Sequence, residues 1–307
     1  MQYTNKNNLS ELMVKAVSKD WHDLEDAKYS ITQLIKPPRI LQLERRHREE
    51  MTLEVSDFWN TFIGTAIHGG IAASIKDDKR YVIEKRQVAE VNGIKISGTP
   101  DVVDTVDGII YDHKTMTTAA FGLEVKPEYE AQLNIYAYML RKNGFTINGL
   151  KLNCIYLDWR KAACKHADPT KYPQTPCRII EVPLWTDAKT EKFLLERLAL
   201  HEAACSVEDD SLPDCASDET WERPGKIAVY PKGGAVRAMK LCNTEQEVTD
   251  WLSYKKMSRG NIMLDYRPAT RMRCEQYCSA APFCSQYKAW LDKQASKVAA
   301  SEEEKVA

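Results

Sequence analysis

The sequence predicts an α/β fold, with a mixed central sheet flanked by helices and a C-terminal helical, cysteine-bearing extension. Three observations predict it. Between residues 81 and 114, short apolar segments suited to strands alternate with the hairpin-grade dipeptides Asn92-Gly93 and Asp107-Gly108. From Pro127 to Leu157 a helical pattern runs straight into an apolar strand-like run, the order of a parallel crossover. Beyond residue 186 helical and loop patterns take over, ending on Cys274, Cys278 and Cys284.

Taken in order, residues 9–28 read as an amphipathic helix with Leu12, Val14, Ala16 and Val17 on its apolar face. Tyr29 to Arg39 reads as a short helix stopped by Pro37-Pro38. Ile40 to Glu50 carries Arg45, Arg46, His47 and Arg48, which fit either a solvated helix face or a phosphate-contacting patch. Phe58 to Ile75 is an apolar helix. His68 lies on it among small neighbours, where a lone histidine reads first as a core residue.

Tyr81–Val91, Ile94–Asp104 and Gly108–Lys114 read as three antiparallel strands of one meander. Pro127 suits the first turn of a helix that reaches Lys142 and stops at Gly144. Strands follow at Leu150–Leu157 and Arg178–Leu184, then a helix over Thr186–Glu202. Val207–Thr220 is acidic and reads as an exposed loop, and Trp221–Met239 as turn-rich. Thr244, with Glu247 three residues on, caps a helix to Ser258. The expected organisation is one domain over 1–290, with N-terminal helices in 1–54, a core in about 55–185 and an extension over 186–290. The charged segment 291–307 is expected to be an unstructured tail.

Composition sets outer bounds. A chain of 307 residues, 43% hydrophobic and 28% charged, can bury a proper core. No apolar run approaches the length of a membrane span. Met1 to Asn8 lacks the apolar stretch of a secretory signal, so the nine cysteines read as reduced thiols, free or metal-bound, in a cytoplasm. A net charge of −1 provides no global field for nucleic acid, leaving local basic patches for that role.

The chemistry concentrates in Gly98-Thr-Pro-Asp101 and Ile109-Ile-Tyr-Asp112-His-Lys114-Thr. Side chains repeat every two residues along a strand, so Asp112 and Lys114 share a face, and Asp101 on the neighbouring segment reaches the same edge. Buried charge is costly unless paired or metal-bound, so this trio is a poor core and a good seat for a divalent cation beside a phosphate. An ordinary surface ion pair on a hairpin is the plainer alternative.

Gly64-Thr-Ala-Ile-His68, Gly98-Thr-Pro-Asp101, Asp112-His-Lys114-Thr and Gln132-Leu-Asn-Ile-Tyr136, in that order, resemble the motif series of the PD-(D/E)XK nuclease superfamily, most like its RecB-like branch with phage exonuclease-type members. The resemblance covers roughly residues 30–160. It implies a restriction-endonuclease-like core and metal-dependent hydrolysis of DNA, as an exonuclease in DNA processing, recombination or repair. It implies Asp101 and Asp112 as metal carboxylates, with the His113 carbonyl and His68 as further ligands. Lys114 would orient or deprotonate the attacking water, with its pKa lowered near the cation. Gln132 and Tyr136 would position the helix face against the metal site or the DNA backbone. Oxygen ligands suit Mg2+ or Mn2+, and the imidazole fits Mn2+. No GxxxxGK[ST] run is present, so a motor or recombination protein would be a separate partner. Location in a bacterial or phage-infected cytoplasm follows by the same analogy, and an oligomer is compatible with it.

Cys274, Cys278 and Cys284 resemble the late cysteines of the iron–sulfur clamp in some RecB-like and CRISPR-adaptation nucleases. Those join an early cysteine, yet no cysteine precedes Cys154 in this chain. A [4Fe–4S] cluster needs four ligands, and Cys215, Cys242 or a non-cysteine group are the choices. Zinc and a plain cysteine knot remain open. So do two other functions: a non-catalytic DNA-binding or regulatory subunit on the same fold, and a metal-thiolate interaction protein.

Overall fold

The computed structural model describes residues 2–19 and 26–306, with side chains described only as far as residue 296. The chain divides into two compact units. One comprises residues 1–38 and 52–206, the other 39–51 and 207–307.

The first unit is built on a five-stranded mixed sheet. Its order is Cys177–Val182, Gly149–Tyr156, Ile109–Met116, Val102–Asp104, Tyr81–Ile83. Ile109–Met116 and Gly149–Tyr156 run parallel, and all other neighbours are antiparallel. The helix Pro127–Lys142 makes the parallel crossover, opening on Pro127 and closing before Gly144 at φ 87°. Leu133, Ile135, Met139 and Leu140 from this helix are fully buried, as are Ile110, Leu150 and Leu152 from the sheet. The helix Asp187–Cys205 adds Leu194 and Leu198 to the core, and Thr186 caps its first turn.

The meander departs from expectation. The Asn92-Gly93 hairpin joins Gln87–Val91 to Ile94–Gly98, and these strands form a separate three-stranded sheet with Tyr29–Ser30. Each of two predicted strands is therefore cut in two, one at Glu84 and the other at Thr99-Pro100-Asp101. Proline has no N–H for a ladder, and Glu84 takes a left-handed φ of 43°, so pairing fails at both places. Across the break the Glu84 N–H still donates to the Asp101 carbonyl at 3.0 Å. The chain passes from one sheet to the other there, and the Asp101 side chain accepts from the His113 N–H of the neighbouring strand at 2.7 Å.

Gly98 ends the strand beside this break. A Cβ on it would lie 2.7 Å from Cε1 of the buried Tyr136 ring and would also strike Ile31. Gly98→Ala should therefore cost about 1–3 kcal/mol of overpacking. Thermal unfolding should show a Tm lower by roughly 5 °C.

The N-terminal helix is Glu11–Ser18, shorter than predicted; residues 20–25 of that prediction lie outside the described residues. A second short helix, Ile31–Ile35, starts on a Ser30–Gln33 capping box. The helix Trp59–Ile75 forms as predicted but buries none of its residues fully.

In the second unit, Lys240–Cys242, Lys226–Pro231 and Ile262–Arg267 form an antiparallel sheet, so the turn-rich reading of 221–239 missed a strand. The helix Glu245–Lys255 completes its core, with Ile227, Val229, Cys242, Val248, Leu252 and Ile262 in contact. Arg46 and His47 of the predicted basic patch are held at 2.7 Å by Asp209 of the same unit. Leu212, Cys215 and Thr220 are buried, which corrects the exposed-loop reading of 207–220. The charged tail continues as the helix Ser285–Val306, because its Ala, Glu, Lys and Gln are strong helix formers.

Candidate active site

His68, Asp101, Asp112, His113, Lys114, Gln132 and Tyr136 converge at the sheet break in the first unit. Their placement follows from the local folding. Asp112 and Lys114 share a face of Ile109–Met116, and Asp101 follows Pro100 just before Val102–Asp104. Antiparallel pairing of Val102 with Tyr111 brings Asp101 alongside Asp112 and His113. The apolar helix carries His68 over the same edge.

The contacts form a connected set. The His113 N–H donates to Asp101 Oδ2 at 2.7 Å. His68 Nε2 donates to the His113 carbonyl at 3.0 Å, and its Nδ1 lies 3.5 Å from Asp101 Oδ1. The Lys114 ammonium is 2.6 Å from Asp112 Oδ2, an ion contact without hydrogen-bond alignment. Lys114 Nζ also donates to Gln132 Oε1 at 3.2 Å, and Gln132 Nε2 donates to the Tyr136 hydroxyl at 3.1 Å. Gln132 and Tyr136 sit four residues apart on one helix face, as their spacing requires. Tyr136 is only 4% exposed, so the structure gives it Gln132 as a partner and no access to a DNA backbone.

The His113 ring makes an edge contact with the His68 ring, with centroids 5.5 Å apart. Its Nδ1 accepts from Asn153 Nδ2 at 3.2 Å, across the parallel ladder that pairs the two residues. Burial, then His68, hold this imidazole down at about 4, so it is neutral at physiological pH. The His113 backbone N–H and carbonyl contact Asp101 and His68, and its ring packs against His68.

The charges are poorly balanced for so enclosed a place. Asp112 is 2% exposed. Burial pushes its carboxyl above the usual range despite Lys114, and Asp101 pushes it further. Burial also raises Asp101, against the pull of His68, while Glu84 adds to the rise. For Lys114, burial pulls the pKa down, but Asp112 and Asp101 outweigh it and the net shift is upward. In the metal-free protein Lys114 is thus an ammonium ion. All three shifts mean that protons are retained, the sign of a site short of positive charge.

That imbalance fits a hard divalent cation, and so does the donor set of two carboxylates, a carbonyl and an imidazole. Among the described residues no three His, Cys, Asp or Glu side chains are already gathered around one point, because Asp101 is turned to the His113 N–H and Asp112 to Lys114.

Sequence reasoning missed two contributors. Tyr129 places its ring 5.0 Å from the Lys114 ammonium, and Asn153 fixes His113. Tyr129 lies three residues before Gln132 on the same helix face, a spacing that could have found it. Glu84 lies at the sheet break. Its side chain is exposed, yet its charge reaches Asp101.

Among curated proteins none is similar enough to count as a match. A solved chain titled "Crystal structure of SSO0001" aligns with 62% of this chain and 85% of its own at 19% identity, with a TM-score of 0.44, too low to weigh. A family model described as the PD-(D/E)XK nuclease superfamily matches residues 4–285. That span takes in every residue just placed at the sheet break, and by it the chain belongs to the PD-(D/E)XK nuclease superfamily.

Proposed function

We propose that this protein is a Mg2+- or Mn2+-dependent deoxyribonuclease of the RecB-like type that degrades linear DNA from an end. The observation carrying the reading is the meeting of Asp101 with the Asp112–Lys114 pair at a broken strand, with His68 beside them. Asp101, Asp112, the His113 carbonyl and His68 would hold the cation. When bound, that cation supplies Lewis-acid polarisation of the scissile phosphate and neutralises charge at its oxygens.

The chain's own groups have separate tasks. Lys114 carries the positive charge that stabilises the phosphorane-like transition state and orients the incoming water. Gln132 and Tyr136 hold that ammonium in place, so their effect on the reaction passes through Lys114. His113 supplies an amide that orients Asp101, while Asn153 fixes its ring edge-on against His68.

The end-directed, recombination-related role rests on the resemblance of the four motifs, as do a separate motor partner and a bacterial or phage-infected cytoplasm as its place of work. No helix among the described residues is long and apolar enough to cross a membrane. The test uses end-labelled linear DNA and a closed circle of the same sequence, with Mg2+, Mn2+ or EDTA. Expected are loss of the linear form with either ion, survival of the circle, and no reaction in EDTA or with Asp112→Ala. Equal cleavage of the circle would make it an endonuclease. DNA binding without cleavage under every metal condition would make it a binding subunit.

A further inference from the structure

The row of side chains that contains Lys114 continues past the site. The parallel ladder sets Lys114 beside Cys154, and the antiparallel ladder sets Cys154 beside Arg178. Directly paired residues leave the same face of a sheet, so Arg178 stands two strand spacings, about 10 Å, from Lys114 on one surface. Burial pushes the Cys154 thiol up, and Arg178 and Lys114 both pull it back.

Arg178 is exposed on the edge strand Cys177–Val182. Its guanidinium lies over the half-buried Phe121 ring, 5.3 Å from the centroid, and among the described residues no carboxylate pairs with it. Phe121 and Tyr156 meet at 74° with centroids 6.2 Å apart. Next to Lys114 the pattern repeats: the Tyr129 ring has the Lys114 ammonium 5.0 Å and the Lys126 ammonium 5.6 Å from its centroid.

Phe121 owes its place to a firmly tied loop. Asp158 Oδ1 accepts from the Thr118 N–H at 2.6 Å, and its Oδ2 from the Thr118 hydroxyl at 3.0 Å. The turn Thr118–Ala120 follows, and the Phe121 N–H closes it on the Thr118 carbonyl at 3.1 Å. Beyond it Leu123 stands 69% exposed. The parallel strands Ile109–Met116 and Gly149–Tyr156 both end beside this loop, and ligands of such sheets gather outside the carboxyl ends of the strands.

Rings and cations thus alternate along one surface: Lys126, Tyr129, Lys114, Arg178, Phe121. That is the make-up of a groove for single-stranded nucleic acid, in which cations follow the backbone and ring faces take unstacked bases. A stacked duplex offers its phosphates to the cations but keeps its base faces covered, and so has no use for the rings.

We propose that Phe121 is the stacking platform for an unstacked base of a single-stranded DNA end, with Arg178 holding a phosphate of the same strand beyond the one at Lys114. The strand then runs from the carboxylates past Cys154 to the edge of the sheet. The phosphate at Lys114 rests on the nuclease reading, and the base site is testable apart from cleavage.

The test is binding of the full chain to a fluorescein-labelled oligothymidylate and to a blunt duplex, in EDTA, where cleavage plays no part. Phe121→Ala should weaken binding of the single strand about 10-fold and of the duplex much less, and Phe121→Tyr should restore it. Arg178→Gln should reduce the salt dependence of single-strand binding by about one ion. Ile179→Ala, at a 56% exposed side chain on the opposite face of the same strand, should bind as the wild type does. One measurement needs no variant to fold: an oligonucleotide of abasic residues keeps every phosphate and loses every stacking partner, and should bind the wild type about 10-fold more weakly. Equal wild-type affinity for the two oligonucleotides, or a Phe121→Ala loss as large on the duplex as on the single strand, would overturn the site. A chain that grips oligothymidylate through Phe121 yet cuts no DNA would keep the site and end the nuclease reading. A chain that digests single-stranded ends as well in Phe121→Ala as in the wild type would keep the nuclease reading and end the site.

Discussion

Asp101→Asn is expected to abolish metal-dependent cleavage while leaving the metal-free fold as stable as before or slightly more so. The amide is isosteric, and its oxygen still accepts the His113 N–H that now binds Asp101 Oδ2 at 2.7 Å. What disappears is a carboxylate that burial holds above its usual pKa. Such a group binds more protons folded than unfolded, so it lowers stability as pH rises through its folded value, and Asn removes that cost. A cation needs the same carboxylate deprotonated, so the Tm gained on adding Mn2+ should grow with pH in the wild type. In the variant that gain should be small at every pH. Loss of a ligand worth several kcal/mol of charge stabilisation corresponds to about a 10^3-fold fall in rate. Thermal scans with and without Mn2+ across the acid-to-neutral range, alongside end-labelled DNA, check both halves. A wild-type Tm indifferent to Mn2+ at every pH would remove the metal site from the account.

Much of the first unit was legible because it rests on local rules. Asn92-Gly93 and Asp107-Gly108 specify turns with φ > 0, Pro127 and Gly144 bound a helix, and period-two spacing puts Asp112 and Lys114 on one face. The two-sheet arrangement was not legible. It depends on strands ending at Glu84 and at Pro100, and a single unusual φ at a glutamate has no signature in sequence. The same holds for Tyr136, whose hydrophobic-polar character fits a groove as well as a core. Only the approach of Gly98 decides that it is buried. In the second unit, the carbonyls that Arg39 and Gln286 bind come from a loop whose position is a tertiary fact.

Lys114→Met should be the most damaging single change at the site, to stability and reaction alike. Methionine keeps the length and loses the charge, so Asp112 stays buried without the ammonium that stands 2.6 Å from it. Breaking a buried pair from one side costs about 3–5 kcal/mol, against about 0–1 for an exposed one. For a unit of this size that is a fall in Tm of roughly 10 °C. Gln132 also loses its donor, and the Tyr129 ring loses the cation 5.0 Å above it. Because a divalent ion would restore the missing positive charge, Mn2+ should raise the Tm of this variant by more than that of the wild type. The rate should fall about 10^2–10^4-fold even in saturating metal, with the KM for DNA little changed, since Lys114 acts on the transition state. Lys114→Arg separates its two possible tasks. The carboxylates hold Lys114 protonated, so a charge-stabilising role should leave the arginine variant well above Lys114→Met. A general base would leave both equally inactive, because guanidinium does not give up its proton.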